Sequence, residues 1–239
     1  MAIGALNESP LHAALKLALA PAGARFEVTV DGYVIDAVHE GVLIEVQTGN
    51  VGSLRPKLQR LLQRHRLRLV VPVASRRWIV RRETDGAVLT RRRSPKRADT
   101  LDALAALVGI PRLLLHPRLE VEVALVHDEE AREHRPGRSW RKRGWVTVER
   151  RLLSVEEREL MPSARSWLRA LPPGLPERFT TLDLARDQVP RRPVAQRAAF
   201  VLRETGLIVA DGRIGRAVAY RLAPSAEAVA GTASTLAPG

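Results

Sequence analysis

Between Phe26 and Thr48 the chain leaves little choice of local structure. Phe26, Val28 and Val30 alternate with Glu27, Thr29 and Asp31, a period of two that predicts a strand. Asp31-Gly32 is a turn pair, Tyr33 to Val38 reads as a second strand, His39-Glu40-Gly41 as a second turn, and Val42 to Thr48 as a third strand. A helix is predicted ahead of it from Ser9 to Ala20. Ser9 suits the cap, Pro10 the first turn, and Leu11, Leu15 and Leu19 recur on one face before Pro21 and Gly23 end it. Behind it, Gly49 to Ser53 is a break. Leu54, Leu58, Leu61 and Leu62 then mark a basic amphipathic helix to about Arg64. Leu67 to Val73 reads as a buried strand that Pro72 should close.

Farther along, Trp78 to Val80 and Ala87 to Thr90 suggest a hairpin, and Arg91 to Arg97 a loop. A short helix is expected over 99–108, and strands over 119–126 and from Trp145 to Leu153. His127-Asp128-Glu129-Glu130 reads as the acidic start of a helix rather than a metal cluster with His134. Trp78, Trp140, Trp145 and Trp167 are expected to anchor cores or inter-domain contacts. The Pro172 to Pro176 run is the clearest linker. Four regions are therefore expected: a core over 1–85, an extension over 86–171, a small domain over 172–222 and a disordered tail over 223–239.

The candidate chemistry lies in the meander. Asp36 is on one strand and Glu45 on the next, and Glu45 and Gln47 share a face because they are two apart. Two carboxylates on rigid strands suit a hard cation such as Mg²⁺ or Mn²⁺, and the Val46 carbonyl can supply a third oxygen. In this order of elements the chain resembles the PD-(D/E)XK nuclease superfamily over roughly residues 7–80, with Asp36 as its Asp and Glu45-Val46-Gln47 as its triplet. The resemblance implies an α/β fold, a restriction-endonuclease-like core with a mixed sheet flanked by helices, and metal-assisted phosphodiester hydrolysis. By that resemblance Asp36, Glu45 and Val46 would hold the metal and Gln47 would orient water. Lys57 would neutralise phosphate, and Glu8, at the start of the first helix, would assist a metal-bound water. The family lysine is Gln47 here, which equally suits an inactive nuclease fold that only binds DNA. His12, one turn after Glu8, is a candidate neighbour of the site.

Residues 177–222 resemble a winged helix-turn-helix domain. Thr181 would cap a short helix to about Asp187, and Arg192 to Thr205 would form the recognition helix, ended by Gly206. Leu207 to Ala210 and Ala217 to Leu222 would make the wing, with Asp211-Gly212 between them. By that resemblance Arg191, Arg192, Gln196 and Arg197 would face a DNA groove, and Arg213 and Arg216 would reach phosphate. A protein-assembly role is the competing expectation for such a domain.

Charge bears on the partner. The chain of 239 residues carries 39 Lys+Arg against 26 Asp+Glu, and only four of the cations are lysine. The excess concentrates in residues 76–100 and 172–222, and includes Arg91, Arg92, Arg93, Lys96 and Arg97. Both stretches suit a polyanion, so DNA is the expected partner. The absence of cysteine excludes disulfides, a cysteine nucleophile and thiolate metal sites. No apolar run approaches the roughly 20 residues of a membrane span, so a cytoplasmic protein with no membrane partner is expected, and a homodimer is left open.

Overall fold

The computed structural model describes residues 9–139, 143–186 and 191–224. The chain is α/β, with a mixed seven-stranded sheet flanked by helices and a separate two-stranded sheet. It divides into two compact units. One gathers the chain up to Gly49, Leu67–Asp99 and Glu122–Glu159; the other gathers Asn50–Arg66, Thr100–Val121 and the chain from Leu160.

The first unit begins with α1 (Pro10–Leu19). Ser9 caps it through its side chain, which accepts from the His12 N–H at 3.3 Å, and proline occupies the first turn as predicted. Three strands follow, β1 (Arg25–Val30), β2 (Tyr33–His39) and β3 (Val42–Val46), each antiparallel to the next. Gly32 and Gly41 take the left-handed φ that their turns require. Leu11, Leu15 and Leu19 of α1 close one core with Ala37, Ile44, Val46 and Val70.

β4 (Arg66–Arg82) lies beside β3, and it is longer than predicted: it runs straight through Pro72 and absorbs the strand expected at Trp78. Proline lacks an N–H, so a strand tolerates it where a ladder is interrupted. Pro72 sits at such a place. Before it, the Val70 carbonyl accepts from Gln47 N–H (2.9 Å); after it, the Ala74 carbonyl accepts from Ala98 N–H (3.3 Å). β5 (Val88–Arg93) pairs with the far half of β4, so Arg91 to Arg93 are strand residues and the loop starts only at Ser94.

β6 (Leu119–His134) and β7 (Trp145–Met161) complete the sheet. The acidic run from Asp128 to Glu133 is therefore a strand and no helix start, and the reason is its partners. Asp128 takes both ends of the Arg77 guanidinium, at 2.7 Å each, and a third bond from Arg150 at 2.6 Å. Glu130 accepts from Arg77, Arg132 and Thr147. On the other face, Glu129 meets Arg91 and Glu133 meets Arg82. Carboxylates with a period of two match arginines on the neighbouring strands. Trp78 and Trp145 lie half-buried under Arg91 and Arg81.

In the second unit a 3₁₀ turn (Val51–Leu54) leads into α2 (Arg55–Leu61), shorter than the predicted helix. α3 (Thr100–Ala106) continues into further 3₁₀ turns, Leu107–Gly109 and Pro111–Leu115, and Trp167 is buried on another, Ala164–Ala170. α4 (Thr181–Leu184) is capped by Thr180, one residue before the predicted cap. Thr180 Oγ1 accepts from Leu182 N–H, while Asp183 reaches back to the Thr180 N–H at 2.6 Å. α5 (Arg192–Glu204) packs on α3 through Ala103, Ala195, Ala198 and Ala199, each no more than 1% exposed. Gly206 ends it at φ 70° as expected, with the Leu207 N–H returning to the Leu202 carbonyl at 2.9 Å. β8 (Ile208–Ile214) and β9 (Ala217–Leu222) form the hairpin, and Phe179 makes an isolated antiparallel bridge to Tyr220 through two backbone hydrogen bonds. Asp211-Gly212 is no hairpin turn. It lies at a register shift within β8, where Gly212 takes φ 73°, and the turn falls at Gly215-Arg216.

Candidate functional site

The β2–β3 ladder pairs Ala37 with Ile44, Val38 with Leu43 and His39 with Val42, a register that sets Asp36 opposite Glu45. The β1–β2 ladder pairs Phe26 with Ala37 and Val28 with Ile35, which sets Glu27 opposite Asp36. Three carboxylates thus stand at one level across three consecutive strands. Glu45 is the buried member, 5% exposed; Asp36 is partly buried and Glu27 is exposed.

The Asp36 carboxylate accepts from the Val46 N–H at 2.8 Å. α1 then brings its polar residues to the row. His12 Nε2 lies 2.8 Å from the Val46 carbonyl and 3.3 Å from Asp36 Oδ2. Lys16, one turn on and mostly buried, donates to Glu27 Oε1 at 2.9 Å, and Glu27 is held at φ 52°. Sequence reasoning missed Lys16 and Glu27. Their available signals were the four-residue spacing from His12 and the register count from Asp36.

Gln47 is half-buried, with its backbone N–H tied to Val70. Lys57 is half-buried on α2 and belongs to the second unit. Glu8 lies outside the described residues.

The donor set tests the fit of a metal. Among the described residues, no group of three or more His, Asp or Glu side chains is arranged to hold one. The available set is two carboxylates and one carbonyl, all hard oxygens suited to Mg²⁺ or Mn²⁺. His12 Nε2 already marks a point within reach of two of these oxygens, Asp36 Oδ2 and the Val46 carbonyl. These oxygens have the chemistry of a hard-cation donor set, and His12 occupies two of them in this structure.

The basic positions divide by their surroundings. Arg92, Arg93, Lys96 and Arg97 are exposed, while Arg91 pairs with Glu129 at 2.8 Å and stacks over Trp78. On α5, Arg192, Gln196 and Arg197 are exposed, as are Arg213 and Arg216 at the hairpin tip. Arg191 is turned to an internal use: it donates to Asp102 Oδ2 at 2.8 Å, with both side chains largely buried.

A family model described as "Domain of unknown function (DUF8091)" matches residues 9–161. The chain belongs to this family. A relative of this DUF8091 protein, an uncharacterized protein of Treponema pallidum (strain Nichols), is 34% identical over 226 residues, covering 94% of this chain and 89% of the relative. No solved structure matches the chain. Within the DUF8091 match lie His12, Lys16, Glu27, Asp36 and Glu45; α4, α5 and the β8–β9 hairpin lie beyond its end, though within the length that the treponemal relative shares. No helix among the described residues of this DUF8091 protein is long and apolar enough to cross a membrane.

Proposed function

We propose that this DUF8091 protein is a metal-dependent DNA nuclease with a PD-(D/E)XK-like core and a winged-helix-like second unit. One observation carries the reading: Asp36 and buried Glu45 stand opposite each other on adjacent antiparallel strands, inside the order helix, three-strand meander, helix, strand. Asp36, Glu45 and the Val46 carbonyl would hold Mg²⁺ or Mn²⁺, which when bound supplies a Lewis acid for the scissile phosphate. Gln47 would orient the attacking water by its side-chain amide. Hydrolysis adds that water oxygen to phosphorus and breaks one P–O ester bond, leaving a phosphate monoester and a hydroxyl. Exposed Arg192, Arg197, Arg213 and Arg216 would bind the DNA backbone.

A second reading has its own support. His12 takes up both Asp36 Oδ2 and the Val46 carbonyl, and Gln47 replaces the family lysine, as suits a DNA-binding protein on an inactive nuclease fold.

Labelled single-stranded, duplex and branched DNA incubated with Mg²⁺ or Mn²⁺ separates the two. Cutting that falls at least a hundredfold in an Asp36→Ala, Glu45→Ala variant supports the nuclease. DNA binding without cutting, equal in both proteins, overturns it in favour of the inactive fold.

A further inference from the structure

The second unit contains a cavity of about 300 Å³ that the groove-facing reading of α5 does not use. Its apolar wall is Val108, Ile110, Pro111 and Leu113, closed on one side by Phe200 of α5. Such a volume stands at the small end of ligand pockets, the scale of one planar heterocycle. Phe200 is 39% exposed, an unusual state for an aromatic on a helix whose opposite face is buried in full. The Arg203 guanidinium lies 5.9 Å from its ring centroid.

We infer that this cavity receives an unpaired nucleobase of a bound DNA strand, stacked on Phe200. The inference rests on the nucleic-acid reading of the second unit and needs no catalysis. Three features select a base over other occupants. The first is charge: Arg197 and Arg203 flank Phe200 at i−3 and i+3, and exposed Arg192 continues the same face, so an aromatic is interleaved with cations that suit a phosphate backbone. The second is the polar rim. Gln59 offers an amide, with both donors and an acceptor, and Glu204 a carboxylate that can accept from an exocyclic amino group of a base. The third is fixed geometry. Arg55 is pinned beside the cavity by Nε and Nη2, which both donate to the Gly109 carbonyl, the former at 2.9 Å. Arg112 is oriented by its 3.2 Å contact with Glu204.

The substrate class follows: DNA with a base out of the stack, such as a bulge, a mismatch or a single-stranded segment, which gives up least to supply it. The test uses the full-length protein without divalent metal, titrated by anisotropy against a fluorescein-labelled duplex and the same duplex carrying a single-base bulge. The wild type should favour the bulge by about tenfold or more. Phe200→Ala should lose that preference while its affinity for the paired duplex stays unchanged, and Phe200→Trp should keep it. Equal wild-type affinity for both DNAs, or a preference that survives Phe200→Ala, overturns the base pocket and leaves DNA binding standing. No binding of either DNA overturns both, and an acidic peptide that binds through Phe200 in place of DNA assigns the cavity to a protein partner.

Discussion

Asp128 has no exposure to water, and an ionised carboxylate in that state survives only if every lone pair is answered. Arg77 and Arg150 answer it, and Glu130 beside it shares Arg77 while holding Arg132 and Thr147. Burial alone would raise the Glu130 pKa, but the hydrogen bonds from Thr147 and Arg132 and the charge of Arg77 outweigh it and hold the carboxyl down at about 2, against an ordinary 4.5. The folded-state pKa is depressed, so this group's stabilisation is fully present above pH 4.5 and is lost as pH falls toward 2. Glu130→Gln should therefore cost about 1–3 kcal/mol at pH 7, and the deficit should shrink steadily below pH 4.5. Urea unfolding of both proteins from pH 7 to pH 3 measures this; a deficit independent of pH would contradict it. The same residues explain a misreading. Acidic side chains also favour a helix N-terminus, so Asp128 to Glu133 carry no mark of a strand until Arg77, Arg82 and Arg150 are placed opposite.

Among the elements, the 3₁₀ turns Val51–Leu54 and Leu107–Gly109 of the second unit cross in tight contact. A Cβ on Gly109 would come within 2.4 Å of the Gly52 Cα, a backbone atom that cannot step aside. Gly109→Ala should cost about 1–3 kcal/mol through forced separation of the two turns. It should also displace the carbonyl that holds Arg55, so thermal unfolding should shift down and any preference for a bulged DNA should fall with it. An unchanged melting temperature would show that the turns can part freely. Nothing in the local sequence flags this crossing, since Gly52 and Gly109 meet only through tertiary packing. Elements with their own punctuation were legible: α1 from Ser9 and Pro10, the meander from Gly32 and Gly41, and the end of α5 from Gly206. The strands β4, β6 and β7 were read short because their length comes from cross-strand partners, and Pro72 reads as a stop wherever its neighbours are unknown. The candidate site followed the same division. Asp36 and Glu45 were found because a short turn fixes their register; Glu27 was missed because its left-handed φ leaves no trace in composition.

For the whole molecule, formal charge overstates the basic surface. The net +13 counts arginines such as Arg77, Arg82, Arg150 and Arg158, which are bound to Asp128, Glu133 and Glu122 inside the first unit. The cations left for a polyanion include the exposed ones around Arg92 to Arg97, on α5 and at the hairpin tip. The order of segments matters as much. The chain passes between its units at Gly49, Arg66, Asp99, Val121 and Glu159. A chain ended at Glu159 would therefore keep α3 without α5, exposing Leu101 and Leu104. Such a truncation should aggregate or bind a hydrophobic dye strongly, as light scattering and dye fluorescence would read; a monodisperse, dye-negative product would contradict it.

The same interleaving bears on inheritance. The family match closes at residue 161, yet α3, inside it, buries its alanines and leucines against α5, which lies outside it. Any descendant that shed the C-terminal segment would have had to evolve a new cover for α3, so within this lineage the two stretches are expected to be lost or kept together.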